Sequence, residues 1–134
     1  MKSLADLNIA AKCDQGFEFE YIDENGKPSG IFLTVIGGHS DKLKKASFEA
    51  YDRHATRSAM LRKMGKDEGV TPLAESAAEN RAITAMRVIG WRGITEPCTP
   101  ENVILLLSTN ALVAKQIVEQ SENIGNFTQG KSKN

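Results

Sequence analysis

At 134 residues, 40% apolar and 6% aromatic, the chain is long enough to close one hydrophobic core, and the low aromatic content makes that core a modest one. Its 17 Lys and Arg are balanced by 17 Asp and Glu, which excludes the cationic excess of a nonspecific nucleic-acid or anionic-membrane binder. No apolar run approaches the roughly 20 residues of a membrane span, and Cys13 and Cys98, with no Cys-x-x-Cys spacing and no secretory leader pattern, read as free thiols in a reduced cytosolic setting.

In chain order, Ser3 is a cap for a first helix over about 3–13, with Leu4, Leu7, Ala10 and Ala11 on one side. Phe17-Glu18-Phe19-Glu20-Tyr21-Ile22 alternates with period two, so its three rings share one strand face and its two carboxylates the other. Asn25-Gly26, expected to supply positive φ angles, then turns the chain into the apolar run 31–36, giving a β-hairpin over about 17–36. Gly37-Gly38 forms the corner, and Ser40 or Asp41 caps a long helix over 41–64 that carries Leu43, Ala46, Ala50, Tyr51, Ala55, Met60, Leu61 and Met64, with Gly65 as its stop.

Residues 66–70 read as a loop, and Thr71-Pro72 starts a helix over 72–89 on the spacing of Leu73, Ala77, Ala78, Ala82, Ile83, Met86 and Ile89. Gly90 ends it and opens a break over 90–103 that holds the single tryptophan, Trp91. Thr99-Pro100-Glu101 restarts a helix over 100–108, and Asn110 caps a last one over 111–122, unless 103–122 runs through with a kink. The expected fold is α+β and mainly helical, one N-terminal β-hairpin packed with about four to five helices, in a single domain over 1–125 with a mobile polar tail over 126–134.

The charges are unevenly placed. Residues 1–30 hold Lys2, Lys12 and Lys27 against Asp6, Asp14, Glu18, Glu20, Asp23 and Glu24, whereas residues 41–67 are mostly basic. This polarity fits either head-to-tail contact between copies or ordinary solvated faces. An isolated hairpin is marginal in water, so its aromatic face must pack on a helix or its edge must pair with another copy.

Reactive-looking groups have simpler readings. Gly37-Gly38-His39-Ser40 has the outline of a phosphate-binding turn but lacks the lysine and glycine spacing of a Walker loop. His39 and His54 are too far apart in sequence for a shared-metal motif, and Glu18 and Glu20 have no accompanying base or nucleophile. No catalytic residue, cofactor or metal is therefore expected. The basic helix, with Lys42, Lys44, Lys45, Arg53, Arg57, Arg62, Lys63 and Lys66, offers a DNA-binding alternative, interrupted by Asp41, Glu49 and Asp52.

Four patches give the chain a resemblance to the tail assembly chaperones of long-tailed bacteriophages. They are residues 30–40 (Gly-Ile-Phe-Leu-Thr-Val-Ile-Gly-Gly-His-Ser), Gly90-Trp91-Arg92-Gly93-Ile94, Thr99-Pro100-Glu101-Asn102-Val103, and the stretch from Gln116-Ile117 to Asn126-Phe127. The resemblance implies a protein of the host cytoplasm, absent from the finished virion, that binds the tape-measure protein and keeps it soluble while the tail tube polymerises. It further implies action in several copies, ring-like or spiral, with a frameshifted longer form that recruits the tail tube protein. A minor virion tail-completion protein is a further alternative.

On this reading the interface or joint residues are Trp91, Ile94, Val103, Ile104, Leu106, Leu107, Ile117 and Phe127. Trp91 and Ile94 would join the body to a mobile apolar C-terminal helical unit.

Overall fold

The hairpin acquires its second partner from an unexpected place. The computed structural model describes residues 1–65 and 73–128, with the side chains of 73–76 left aside. Strand β1 (Phe17–Ile22) pairs antiparallel with β2 (Pro28–Val35), and β2 pairs antiparallel with a third strand, β3 (Val88–Arg92), so β2 is the central strand. Around this sheet stand α1 (Ile9–Cys13), α2 (Asp41–Lys63), α3 (Leu73–Ala85), α4 (Pro100–Thr109), α5 (Ala111–Glu122) and α6 (Gly125–Thr128). The fold is α+β and mainly helical, as expected, with a three-stranded sheet in place of a hairpin.

Strand β3 corrects the expected helix over 72–89. Helix α3 stops at Ala85, and Gly90 is no left-handed terminator, since the positive-φ glycines among the described residues are Gly26, Gly30, Gly65 and Gly93. Val88 and Trp91 pair with Val35 and Leu33 on the inner face, and Ile89 is the extra residue of a bulge between Val35–Val88 and Thr34–Gly90. A spacing of β-branched residues that also suits a helix becomes a strand here because β2 offers an unpaired edge. The start expected at Thr71-Pro72 and the loop over 66–70 lie outside the described residues.

Other local signals act as read, with changes in detail. Asn8 leaves helical geometry and caps α1 through Ala11 N at 3.0 Å, so the helix expected over 3–13 divides into a 3₁₀ turn, Ala5–Leu7, and α1. Ser3 bonds with Asp6 at that turn. In the hairpin turn only Gly26 takes positive φ, at 76°, while the Asp23 carboxylate accepts from Asn25 N and Lys27 N at 2.9 and 3.0 Å. Ser40 caps α2, Thr99 caps α4 and Asn110 caps α5, which settles the alternative of a continuous kinked helix over 103–122.

The core lies on one face of the sheet. Phe19, Tyr21, Leu33 and Val35 meet Val103 and Leu107 of α4 and Val113 and Ile117 of α5, all buried. The C-terminal helices are thus part of the core and not a mobile appendage, which overturns the joint expected at Trp91. Asn126–Thr128 also differ from the expected tail: they lie in α6, and Phe127 packs edge-on against Phe17 with ring centroids 6.1 Å apart. Residues 129–134 lie outside the described residues.

The β2 side of the hairpin needs no other copy, while β1 stays an edge strand of the sheet. Strand β3 covers the free edge of β2, and the Gln116 amide occupies the backbone of Ile22 on β1, accepting from its N–H at 3.0 Å and donating to its carbonyl at 2.8 Å. On the outer sheet face Arg92 lies over the Phe32 ring at 4.0 Å and donates to Glu18 at 3.0 and 3.2 Å, bridging all three strands. Glu20 accepts from Gly30 N at 2.9 Å. Both carboxylates on this face are thus hydrogen-bonded across the sheet.

The glycine corner is required by close packing. A Cβ on Gly37 would stand 2.5 Å from Cβ and Sγ of the buried Cys13, so Gly37→Ala should cost about 1–3 kcal/mol of stability in urea unfolding. The Arg92 hydrogen bond holds the Glu18 carboxyl below the usual carboxylate range. A lowered folded-state pKa stabilises fully above the unfolded pKa, and that stabilisation is lost as pH falls through the folded one. Glu18→Gln should accordingly make the urea midpoint less sensitive to acid than it is in the wild type.

Candidate functional site

Helix α4 concentrates the apolar surface that the core does not absorb. Its central run, Val-Ile-Leu-Leu-Leu over residues 103–107, is apolar all round, a pattern that belongs to a fully buried helix. Val103 and Leu107 are buried in the core, and Leu106, partly buried, packs against it. Leu105 is 61% exposed and Ile104 36% exposed.

Two hollows flank this ridge. The first, about 210 Å³, lies between β3 and α4 and is lined by Trp91, Ile94, Leu105 and Leu106, with Glu96, Asn102 and Thr109 beside them. The indole N–H of Trp91 donates to the Glu96 carbonyl at 2.9 Å, and Asn102 Nδ2 donates to the Pro97 carbonyl at 2.9 Å, so the loop between β3 and α4 is tied down and the ring face is left to the hollow. Gly93, with φ of 90°, packs so tightly on the Gly30 carbonyl that no side chain fits there. The second hollow, about 460 Å³, lies between α3, β3 and the start of α4.

The eight residues expected at an interface or joint are thereby divided. Trp91, Ile94 and Leu106 meet in the first hollow, and Ile104 lines the second. Val103, Leu107, Ile117 and Phe127 are buried core residues. Leu105, the most exposed leucine of α4, is the site residue that sequence reasoning passed over. Its signal was the unbroken apolar run itself, which is too long to face inward at every position.

The polar groups offer little chemistry. The amides of the glycine corner are engaged within the fold: Gly37 N donates to the Cys13 carbonyl at 2.7 Å, Gly38 N to the Ser121 carbonyl at 2.8 Å and Ser40 N to the Gly37 carbonyl at 3.0 Å. Burial raises the pKa of both thiols, Cys13 and Cys98, away from the thiolate form that reacts. Glu79 of α3 accepts from Arg53 and also contacts His54 of α2, and first Arg53, then His54, lowers its pKa. Among the described residues no three His, Cys, Asp or Glu side chains gather closely enough to hold a metal ion, and no helix is long and apolar enough to cross a membrane.

Four of the remaining exposed large apolar groups lie on α2 and its C-cap, where Phe48 and Tyr51 stand one turn apart and Met60 and Met64 follow near the end. Met60, Leu61 and Met64 line a further hollow of about 510 Å³ together with Asp52, Arg53, Thr56 and Arg57, a more heavily charged wall than those beside the α4 ridge. Comparison of the chain with protein-family models, with curated proteins and with solved structures finds no match.

Trp91 positions this site through its ring and its single hydrogen bond. Trp91→Phe should cost about 1 kcal/mol through loss of the bond to Glu96, and Trp91→Ala about 2–4 kcal/mol through loss of the ring as well, both measured by urea unfolding.

Proposed function

We propose that this chain is a tail assembly chaperone of the kind found in long-tailed bacteriophages, which binds the tape-measure protein and keeps it soluble while the tail tube polymerises. The observation that carries the reading is the exposed Ile104–Leu105 ridge between two apolar hollows, on a helix whose inner face is locked into the core. A rigid ridge of this kind supplies apolar contacts to a client without chemistry. Several copies along one long client would add such contacts by multivalency.

On this proposal the chaperone works in the host cytoplasm as an oligomer, with a frameshifted longer form and the tail tube protein as further partners, and it is absent from the finished virion. With β3 already on the β2 side of the hairpin, the contact between copies is assigned to the helical surface. The basic helix carries the alternative of a DNA-binding accessory protein less well, because Arg53 is already paired with Glu79.

Co-expression with the tape-measure protein tests the reading. Wild type should hold the client in the soluble fraction and co-purify with it. Leu105→Asp, at an exposed position where stability should change by no more than about 0.5 kcal/mol, should release the client into the pellet. A client equally soluble with and without the chain would overturn the proposal.

A further inference from the structure

The second hollow differs from the first in its charge. Its walls are apolar, with Ala82 of α3, Met86 just after that helix, Ile89 of β3, and Pro100 and Ile104 of α4, and the one charged side chain among its described lining residues is Lys42 at the start of α2. No described carboxylate pairs with the Lys42 ammonium. Asp41 beside Lys42 in the first turn of α2 and Glu101 in the first turn of α4 are not among the lining residues. Thr99 and Pro100 bring the N-terminal, positive end of the α4 dipole to the same wall.

We propose that this hollow selects acidic amphipathic helical segments, seating an aliphatic side chain between α3, β3 and α4 while a carboxylate about one turn away pairs with Lys42. The volume of about 460 Å³ holds more than one aliphatic group. Charge complementarity fixes the sign of the partner: a lysine or arginine beside the anchor would meet both Lys42 and the positive helix end, and such like-charge contact is disfavoured. The inference rests on the α4 ridge as a client surface and specifies the client's chemistry. Segments with leucine or isoleucine near glutamate or aspartate would be held, and basic amphipathic segments would be rejected.

Three probes test it against the full chain: a short helical peptide with leucine one turn from glutamate, its twin with glutamine in place of glutamate, and laurate. Binding is followed by backbone amide NMR shifts and by titration calorimetry at low and high salt. The glutamate peptide should shift the amides around Met86, Ile89 and Ile104 and bind about fivefold more tightly than its twin, the scale of one partly exposed charge pair.

That preference should shrink with salt and vanish in Lys42→Glu, which alters an exposed side chain. Ala82→Trp, also at an exposed position, should block the hollow and abolish binding of both peptides. Equal binding of the two peptides would overturn the charge selection while leaving the client reading intact. Binding of laurate alone would overturn it in favour of a small amphiphile. If no probe binds, the hollow is not a docking site, whatever co-expression shows for the ridge.

Discussion

A buried knot of hydrogen bonds around Ser121 fixes how the rest of the chain is arranged. The Ser121 hydroxyl donates to the Ile36 carbonyl at 2.7 Å and accepts from Arg87 Nη1 at 2.8 Å, while its carbonyl accepts from Gly38 N at 2.8 Å. The Arg87 carbonyl accepts from Ile36 N at 2.8 Å, and its guanidinium pairs with Glu122 at 2.7 Å. One fully buried serine thus joins the end of β2, the corner before α2, the turn before β3 and the last turn of α5. Buried polar groups are costly unless satisfied; Arg87 Nε is buried without a hydrogen-bond partner among the described residues, while the bonds made by Arg87 Nη1 and Ser121 tie the four elements together.

The site follows from that knot. With Arg87 held against Ile36, the chain leaving α3 must run back along β2, which makes 88–92 a strand and puts Trp91 opposite Leu33. The tied loop after Trp91 then sets where α4 begins, and the seating of Val103 and Leu107 in the core fixes its rotation. Ile104 and Leu105 face outward as a result. The exposed ridge is a consequence of helix phase: five consecutive apolar residues cover more of the helix circumference than the core can receive.

Much of this arrangement was legible in local chemistry. The alternation over 17–22 marked a strand with one ring-bearing face, and Ser40, Thr99 and Asn110 announced the starts of three helices through side chains that can take an orphan amide. What was not legible depends on partners distant in sequence. Val88, Ile89 and Trp91 suit a helix and a strand alike, and only the open edge of β2 decides between them. The splitting of the first helix at Asn8 turns on one side chain that caps as readily as it continues. Phe127 looks like part of a polar tail until Phe17 is found beside it.

The site was half legible for the same reason. Trp91, Ile94, Ile104 and Leu106 were identifiable as candidates, but Val103 and Leu107 were indistinguishable from them without the helix phase, and Leu105 escaped notice. Lys42 belonged, in sequence, to a dispersed basic helix; its meeting with the α4 flank is a tertiary fact. The most direct test of the α4 ridge as the client surface is photocrosslinking in cells that make tails, with the reactive group at position 105 and, separately, at position 24 on the hairpin turn. The account predicts a crosslink to the tape-measure protein from 105 and none from 24; a client crosslink from 24 with none from 105 would contradict it.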